Sequence, residues 1–285
     1  MPNTLTDPIK YLCGDYPQSL FFTCTKESEV INTVLSLKEG KSPGYDDIDT
    51  KVLKQCIHIV APVLTHIFNT SIETGCFPDA LKVAKVLPIF KKGDKSLCTN
   101  YRPVSLLSVF DKLFEKLIYA KLMSYICKHN ILYNRQFGFR SGHSTSMALL
   151  EFIDQLNTAF ENKNIGLGIF LDLSKAFDSI NHDILLRKLK CYGIRGTSLE
   201  LIHSYLFNRK QFVYIDGVNS TLLTLAGGIP QGSILGPLIF LLYINDIQYV
   251  SPNLCPIIFA DDTNLFVSGK NIYEISTIIT SEIPK

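Results

Sequence analysis

The stretch 257-IIFADDTNLFV-267 sets two adjacent aspartates, Asp261 and Asp262, between two apolar runs. Each run is short and rich in β-branched and aromatic residues. The whole reads as a strand hairpin with the acids at its tip. An Asp pair in a turn has an ordinary explanation, because Asp side chains hydrogen-bond their own backbone and favour turns. A third carboxylate changes the weighing. Asp172 closes the apolar run in 165-IGLGIFLDL-173. A run so apolar is expected to be central in a sheet, where a charge is costly unless paired or metal-bound. The two segments would pack as neighbouring strands of one sheet, bringing Asp172 to the 261/262 tip. Carboxylates converging on a strand edge repel one another, and divalent cations relieve that repulsion. Oxygen donors with no nearby Cys or His suit Mg²⁺ or Mn²⁺ rather than zinc. Two such ions about 4 Å apart form the usual clamp for in-line phosphoryl transfer.

Length and composition bound the rest. The chain has 285 residues, 46% hydrophobic and 19% charged. That fits one large domain or two interleaved subdomains, globular rather than disordered. A formal net charge of +2 neither demands nor forbids a nucleic-acid partner. Local clustering says more: Lys82, Lys85, Lys91, Lys92, Lys95 and Arg102 crowd one stretch, either as a solvated face or as a phosphate-binding surface. The eight cysteines form no C-x-x-C pair, which argues against a zinc ribbon; buried free thiols in a reducing compartment are expected. The N-terminus has no continuous apolar segment, so no secretory signal is expected. The run 234-ILGPLIFLLYI-244 falls short of the about 20 residues a membrane-spanning helix needs and is expected to be a buried helix. An intracellular protein follows, with nucleus and cytoplasm not distinguished.

Periodicity places helices over about 27–38, 52–72 with a stop at Gly75, 110–126, 146–161, 183–191 and 198–207. Strands are expected at 85–90 and 101–107, joined through 91-KKGDK-95, and in a hairpin over 211–225 turning at Asp216-Gly217. Helices dominate the first half, and strands alternate with helices in the second. The class is therefore α+β with two connected lobes.

Three features add chemistry. The loop 227-GGIPQGSILGP-237 lacks the lysine of a Walker A loop and the spacing of a dinucleotide fingerprint. Gly232 permits close approach of a ligand, Gln231 offers an amide beside it, and Ser233 could cap the following helix. A tight turn entering a buried helix would explain the loop equally well. On the basic hairpin, Lys91 and Arg102 could hold a triphosphate, Arg102 through its planar fork. Phe177 either packs in a core or lines the metal pocket and limits which sugar fits.

Together 169-IFLDLSKAFDSINH-182, 227-GGIPQGSILGPLIF-240 and 258-IFADDTNLF-266 resemble the reverse transcriptases of non-LTR (LINE-like) retrotransposons. The segments 35-LSLKEGKSPGYDDI-48, 86-VLPIFKKGDKSLCTNYRPVSLL-107 and 136-QFGFRSGHST-145 resemble the same family. The likeness covers roughly residues 25–270. It implies a right-hand polymerase with fingers and palm, an antiparallel palm sheet flanked by helices, and no thumb within this chain. A mixed segment 1–25, a fingers-like region 26–160 with the basic hairpin and a palm-like region 161–285 are the implied domains.

The resemblance implies that Asp172 and Asp261 bind two Mg²⁺ or Mn²⁺ ions, with Asp262 at the third acidic position. Adjacent side chains on a turn need not point the same way. Phe177 would be the gate against a ribose 2′-OH. Gln231 and Gly232 would contact incoming nucleotide and template, and Lys91 and Arg102 would hold the triphosphate. Asp178 and His182 are expected to be structural, for instance capping the following helix. The implied partners are an RNA template, a DNA primer and dNTP, with no membrane; the oligomeric state is not implied. The chain stops soon after Asp262, before the family's later palm segments and thumb. A non-catalytic remnant that at most binds RNA is therefore one alternative. A two-metal nuclease is another, although hydrolysis needs no nucleotide-sugar gate.

Overall fold

The computed structural model describes residues 10–12 and 16–283. The chain folds as two compact units, each assembled from separated segments. One takes in 129–176 and 237–283 with the short piece 10–12; the other takes in 16–128 and 177–236. Both units are discontinuous in sequence, so they interleave along the chain. Strand pairing between distant segments produces the interleaving, and local periodicity does not encode it.

The second of these units holds helices α1 (Glu27–Leu35) and α2 (Thr50–Thr74), strands β1 (Val83–Phe90) and β2 (Tyr101–Leu107), and helix α3 (Val109–Lys128). Asp49 caps α2 by accepting from Lys51 N, and Gly75 ends it with φ 69°. Leu53, Ile57, Ala61, Leu64, Phe68 and Ile72 make its buried stripe. Phe68 and Phe77 stack on Phe114 of α3, with centroids at 4.5 and 5.1 Å. Helices α5 (His182–Cys191) and α6 (Thr197–Leu206) and strands β4 (Lys210–Ile215), β5 (Val218–Asn219) and β6 (Leu223–Thr224) complete this unit. Its mixed sheet runs β2-β1-β4-β5, with β6 also on β4; β1 and β2 are antiparallel, β1 and β4 parallel. One face is buried through Ala84, Val86, Ser105 and Leu107. The opposite face carries Lys85, Ile89 and Arg102.

The other unit centres on an antiparallel sheet, β3 (Ile165–Asp172), β8 (Asp262–Gly269) and β7 (Cys255–Phe259), in the order β3-β8-β7. Helix α4 (Thr145–Glu161) covers one face, where Phe137, Ala148, Ala159, Ile257 and Phe266 cluster with Phe152 and Phe259. Helix α8 (Ile272–Glu282) covers the other, where Leu254, Leu265, Val267 and Ile275 cluster with Ile169. The α+β class and the antiparallel sheet flanked by helices are as expected.

Two expectations are corrected. β3 is an edge strand, not a central one. Its apolar character is not matched by burial: Ile165, Leu167, Phe170 and Leu171 are exposed. Gly166 and Gly168 leave room for Leu156 and Phe152 of α4, and Ile169 packs toward α8. The cysteines are free as expected but not buried: among the described ones, Cys24, Cys76, Cys98 and Cys127 are exposed and Cys56, Cys191 and Cys255 half-buried, while Cys13 lies outside the described residues. The segment 234–244 does form a buried helix, α7 (Leu235–Ile244).

Candidate functional site

The sequence hairpin is real: β7 and β8 pair antiparallel, with Phe259 opposite Asp262 and only Ala260 and Asp261 in the turn. Antiparallel pairing of β3 with β8 then sets Asp172 directly opposite Asp262. Register partners share a sheet face. This face is the one toward α4, where Asp172, Asp262, Phe259, Phe170, Asn264 and the α4 residues Thr145, Ala148, Leu149 and Phe152 line a cavity of about 520 Å³. Asp172 and Asp262 are exposed; Asp261, one residue earlier at the turn, is half-buried and not part of that lining. An exposed Asp172 needs no partner to offset burial, so its position on β3 does not by itself demand a metal.

The donors are all oxygen, as Mg²⁺ and Mn²⁺ prefer. Their spacing does not make a cage: among the described residues, no group of three or more His, Cys, Asp or Glu is placed to hold a metal ion. The structure therefore brings Asp172 and Asp262 together across one strand pair and leaves Asp261 beside them on the turn.

The glycine loop is shaped by its neighbours. Gly228 has φ 75°, and a Cβ there would lie 2.9–3.0 Å from backbone atoms of Phe177 and Asp178. Gly228 N donates to Ile180 O and Ile229 N to Phe177 O, both at 3.0 Å. The His182 ring Nε2 meets Gly228 O at 2.7 Å. The segment after Asp172 is thus tied to the loop through residues 177–182. Asp178 accepts from the Gln231 amide at 3.2 Å. Neither Asp178 nor His182 caps α5; Asn181 does, accepting from Ile184 N at 3.1 Å. At Gly232, with φ 118°, the close approach is that of the Ser105 carbonyl, which a Cβ would meet at 2.6 Å. Ser105 N also donates to Gln231 O at 2.7 Å. Ser233 Oγ accepts from Gly236 N at 3.0 Å, the capping contact expected of it.

The basic stretch divides. Lys82 is buried against Asp79 at 2.9 Å, and Lys85 meets Asp47 at 3.4 Å and the Tyr214 ring at 4.4 Å. Lys91 and Arg102 are exposed and make no ion pair among the described residues. Arg102 is the register partner of Ile89, and Lys91 N donates to Asn100 O at 2.9 Å just beyond it. Two residues on from Ile89, Lys91 returns to the face that carries Arg102.

A buried polar cluster went unread in the sequence. Arg209 Nη2 meets Asp111 Oδ2 at 2.9 Å with both residues inaccessible to solvent. One turn along α3, Glu115 accepts from Tyr205 OH and from Ile234 N, both at 2.5 Å. Burial pushes the Asp111 carboxyl well up, and Glu115 beside it adds to the rise; burial also raises Glu115. Glu115 acts as a tertiary cap at the start of α7, where negative charge is favoured. The available signal was Asp and Glu at i, i+4 on the apolar stripe of α3, where two unpaired acids are out of place.

Among the described residues no helix is long and apolar enough to cross a membrane. The reverse transcriptase (RNA-dependent DNA polymerase) family matches residues 89–282. The RNA-directed DNA polymerase from mobile element jockey of Drosophila melanogaster is 32% identical over 273 residues, 92% of this chain and 30% of that protein. The probable RNA-directed DNA polymerase from transposon X-element of the same organism is 34% identical over 233 residues, 81% of this chain and 25% of that protein. This chain thus spans less than a third of the length of either relative. Among solved structures, apo telomerase from Candida tropicalis truncated from its C-terminal domain aligns over 80% of this chain and 52% of that chain, with a TM-score of 0.49 and 16% identity. By the match over 89–282, the chain belongs to the reverse transcriptase family and is a homologue of the RNA-directed DNA polymerases of non-LTR retrotransposons.

Proposed function

We propose that this chain carries the polymerase centre of a non-LTR retrotransposon reverse transcriptase. It would join dNTPs to a primer 3′-OH along an RNA template. The observation that carries the reading is the register that sets Asp172 against Asp262, with Asp261 on the adjoining turn, in a chain of this family. Mg²⁺ or Mn²⁺ would supply Lewis-acid stabilisation of the transferred phosphoryl group. Mg²⁺ is commonly held by one or two carboxylates together with substrate phosphates, so a cage complete without substrate is not required. Asp172, Asp261 and Asp262 are the acids that would receive two such ions.

Other roles follow the same reading. The exposed cations Lys91 and Arg102 would bind the triphosphate, Arg102 by a fork suited to phosphate oxygens. Gln231 and Gly232 would contact nucleotide and template, with Gln231 oriented by Asp178. Phe177 would set the space allowed to the sugar. The β1–β2 hairpin corresponds to fingers and the β3-β8-β7 sheet to palm.

The test is primer extension by the purified chain on an RNA template with Mg²⁺ or Mn²⁺ and dNTPs. Extension that disappears in Asp172→Asn supports the proposal; template binding without extension under any divalent ion rejects it. RNA binding without catalysis is a second reading, favoured by the lack of three gathered carboxylates among the described residues.

A further inference from the structure

The polymerase reading leaves 136-QFGFRSGHST-145 without a role. Its first residues lie along the outer edge of β7. Ile258 N donates to Arg135 O at 2.9 Å, and Phe137 N donates to Ile258 O at 2.7 Å. Between them sits Gln136, 2% exposed. Its side-chain oxygen accepts from Gly138 N at 2.8 Å and from Ala260 N at 3.1 Å. Its amide nitrogen lies 3.5 Å from Ala260 O. One side chain therefore brackets both backbone polar groups of Ala260.

Ala260 immediately precedes Asp261 and has φ 58°. That left-handed conformation is disfavoured for any residue with a Cβ and must be held by its surroundings. A Cβ on Gly138 would run into the Ala260 backbone, so 136–138 lies flush against the turn. The segment is anchored at its base. Arg135 Nε meets Glu151 Oε1 of α4 at 2.6 Å, and Arg140 Nη1 donates to the carbonyls of Tyr133 and Gln136 at 2.9 and 3.1 Å. A buried amide is costly unless bonded. Here its bonds go to its own loop and to the one strained residue beside the acids.

We infer that Gln136 is a positioning residue. Its amide holds Ala260 in the left-handed turn and so fixes the directions in which Asp261 and Asp262 leave the hairpin. The inference rests on the proposed reading of those aspartates as the acids that receive the metal ions. The side-chain bonds of Gln136 go to Gly138 and Ala260 rather than to either acid.

The test uses the full chain and three readouts: exchange of the Ala260 amide hydrogen, Tb³⁺ luminescence as a probe of cation binding, and primer extension resolved into kcat and KM. Gln136→Met fills the space without the bonds. Ala260 exchange is expected to quicken about tenfold or more, because a held amide becomes free to open. Tb³⁺ binding should weaken, and kcat should fall on the order of 10²-fold with the KM for dNTP unchanged, the signature of misplaced groups. Gln136→Glu keeps the acceptor and should keep Ala260 protected. Adding Ala260→Gly to Gln136→Met should restore part of kcat, since glycine takes positive φ unaided. If Gln136→Met does not fold, Gln136→Asn, one methylene shorter, should give the same signature. A folded Gln136→Met or Gln136→Asn with wild-type Ala260 exchange, or with wild-type kcat, overturns the inference. Should the wild type neither bind Tb³⁺ nor extend a primer, the reading of the aspartates falls, and Ala260 exchange alone decides the role of Gln136.

Discussion

Asp172 and Asp262 face each other as register partners across β3 and β8, on the sheet face toward α4. Like charges directly opposite on an antiparallel pair are destabilising, so stability alone does not explain them. Asp172→Asn should therefore separate function from folding. Primer extension should be lost, and the urea midpoint should stay the same or rise slightly. A variant that extends primers at the wild-type rate would remove Asp172 from the reaction.

Gly232 is constrained from the Ser105 side, by a positive φ and by a carbonyl that a Cβ would meet at 2.6 Å. Gly232→Ala should cost roughly 1–3 kcal/mol, the usual range for a residue forced into an unfavourable backbone region. It should also raise the KM for dNTP, because Gln231 is bonded to Ser105 N through its own carbonyl and moves with the loop. A stable Gly232→Ala with unchanged KM would mean that the loop does not touch substrate.

Phe177 lies in the segment tied to the glycine loop through Ile229 N and its own carbonyl. If its ring limits the sugar, Phe177→Ala should raise the rNTP:dNTP ratio of kcat/KM by about tenfold or more, the scale expected when a steric wall is withdrawn. Equal loss toward both substrates would assign the ring to packing alone.

The site was legible in the sequence to different depths. The 257–267 hairpin could be read because its two apolar runs and the turn between them are local, and pairing with the 165–173 strand followed from apolar runs that each meet an acid. The place of β3 in its sheet could not. An apolar run does not tell an edge strand from a central one, and Gly166 and Gly168 reveal the close approach of α4 only once Phe152 and Leu156 are seen beside them. Capping of α5 went to Asn181 rather than to Asp178 or His182, because the chain bends one residue before the helix and the other two are drawn to the glycine loop. The i, i+4 acids on the apolar stripe of α3 hint at burial, but their partners Tyr205, Arg209 and Ile234 lie about a hundred residues away, and no local pattern identifies those partners.

Those acids make a last prediction, on pH. Asp111 and Glu115 share a single guanidinium, that of Arg209, while Tyr205 OH and Ile234 N donate to Glu115 and Lys112 lies near Asp111. Among the described residues Asp111 Oδ1 has no hydrogen-bond partner, which makes it the natural seat for a retained proton. Both carboxyls are raised in the folded protein, so between the ordinary carboxylate range and their raised values the folded state binds more protons than the unfolded chain. Stability contributed by this cluster should be greatest below that window and fall as pH rises through it. Asp79 and Asp94, each held below the ordinary range, by Lys82 and by the Ser96 N–H respectively, act in the opposite sense at lower pH. The comparison is therefore of wild type with Asp111→Asn. The wild-type urea midpoint should decline more steeply as pH rises through that window than that of Asp111→Asn, in which only Glu115 of the pair can release a proton. Arg209→Met, which leaves two buried acids without their cation, should cost about 3–5 kcal/mol at neutral pH and less in acid. Parallel pH profiles for wild type and Asp111→Asn would show that Asp111 is already ionised in the folded protein.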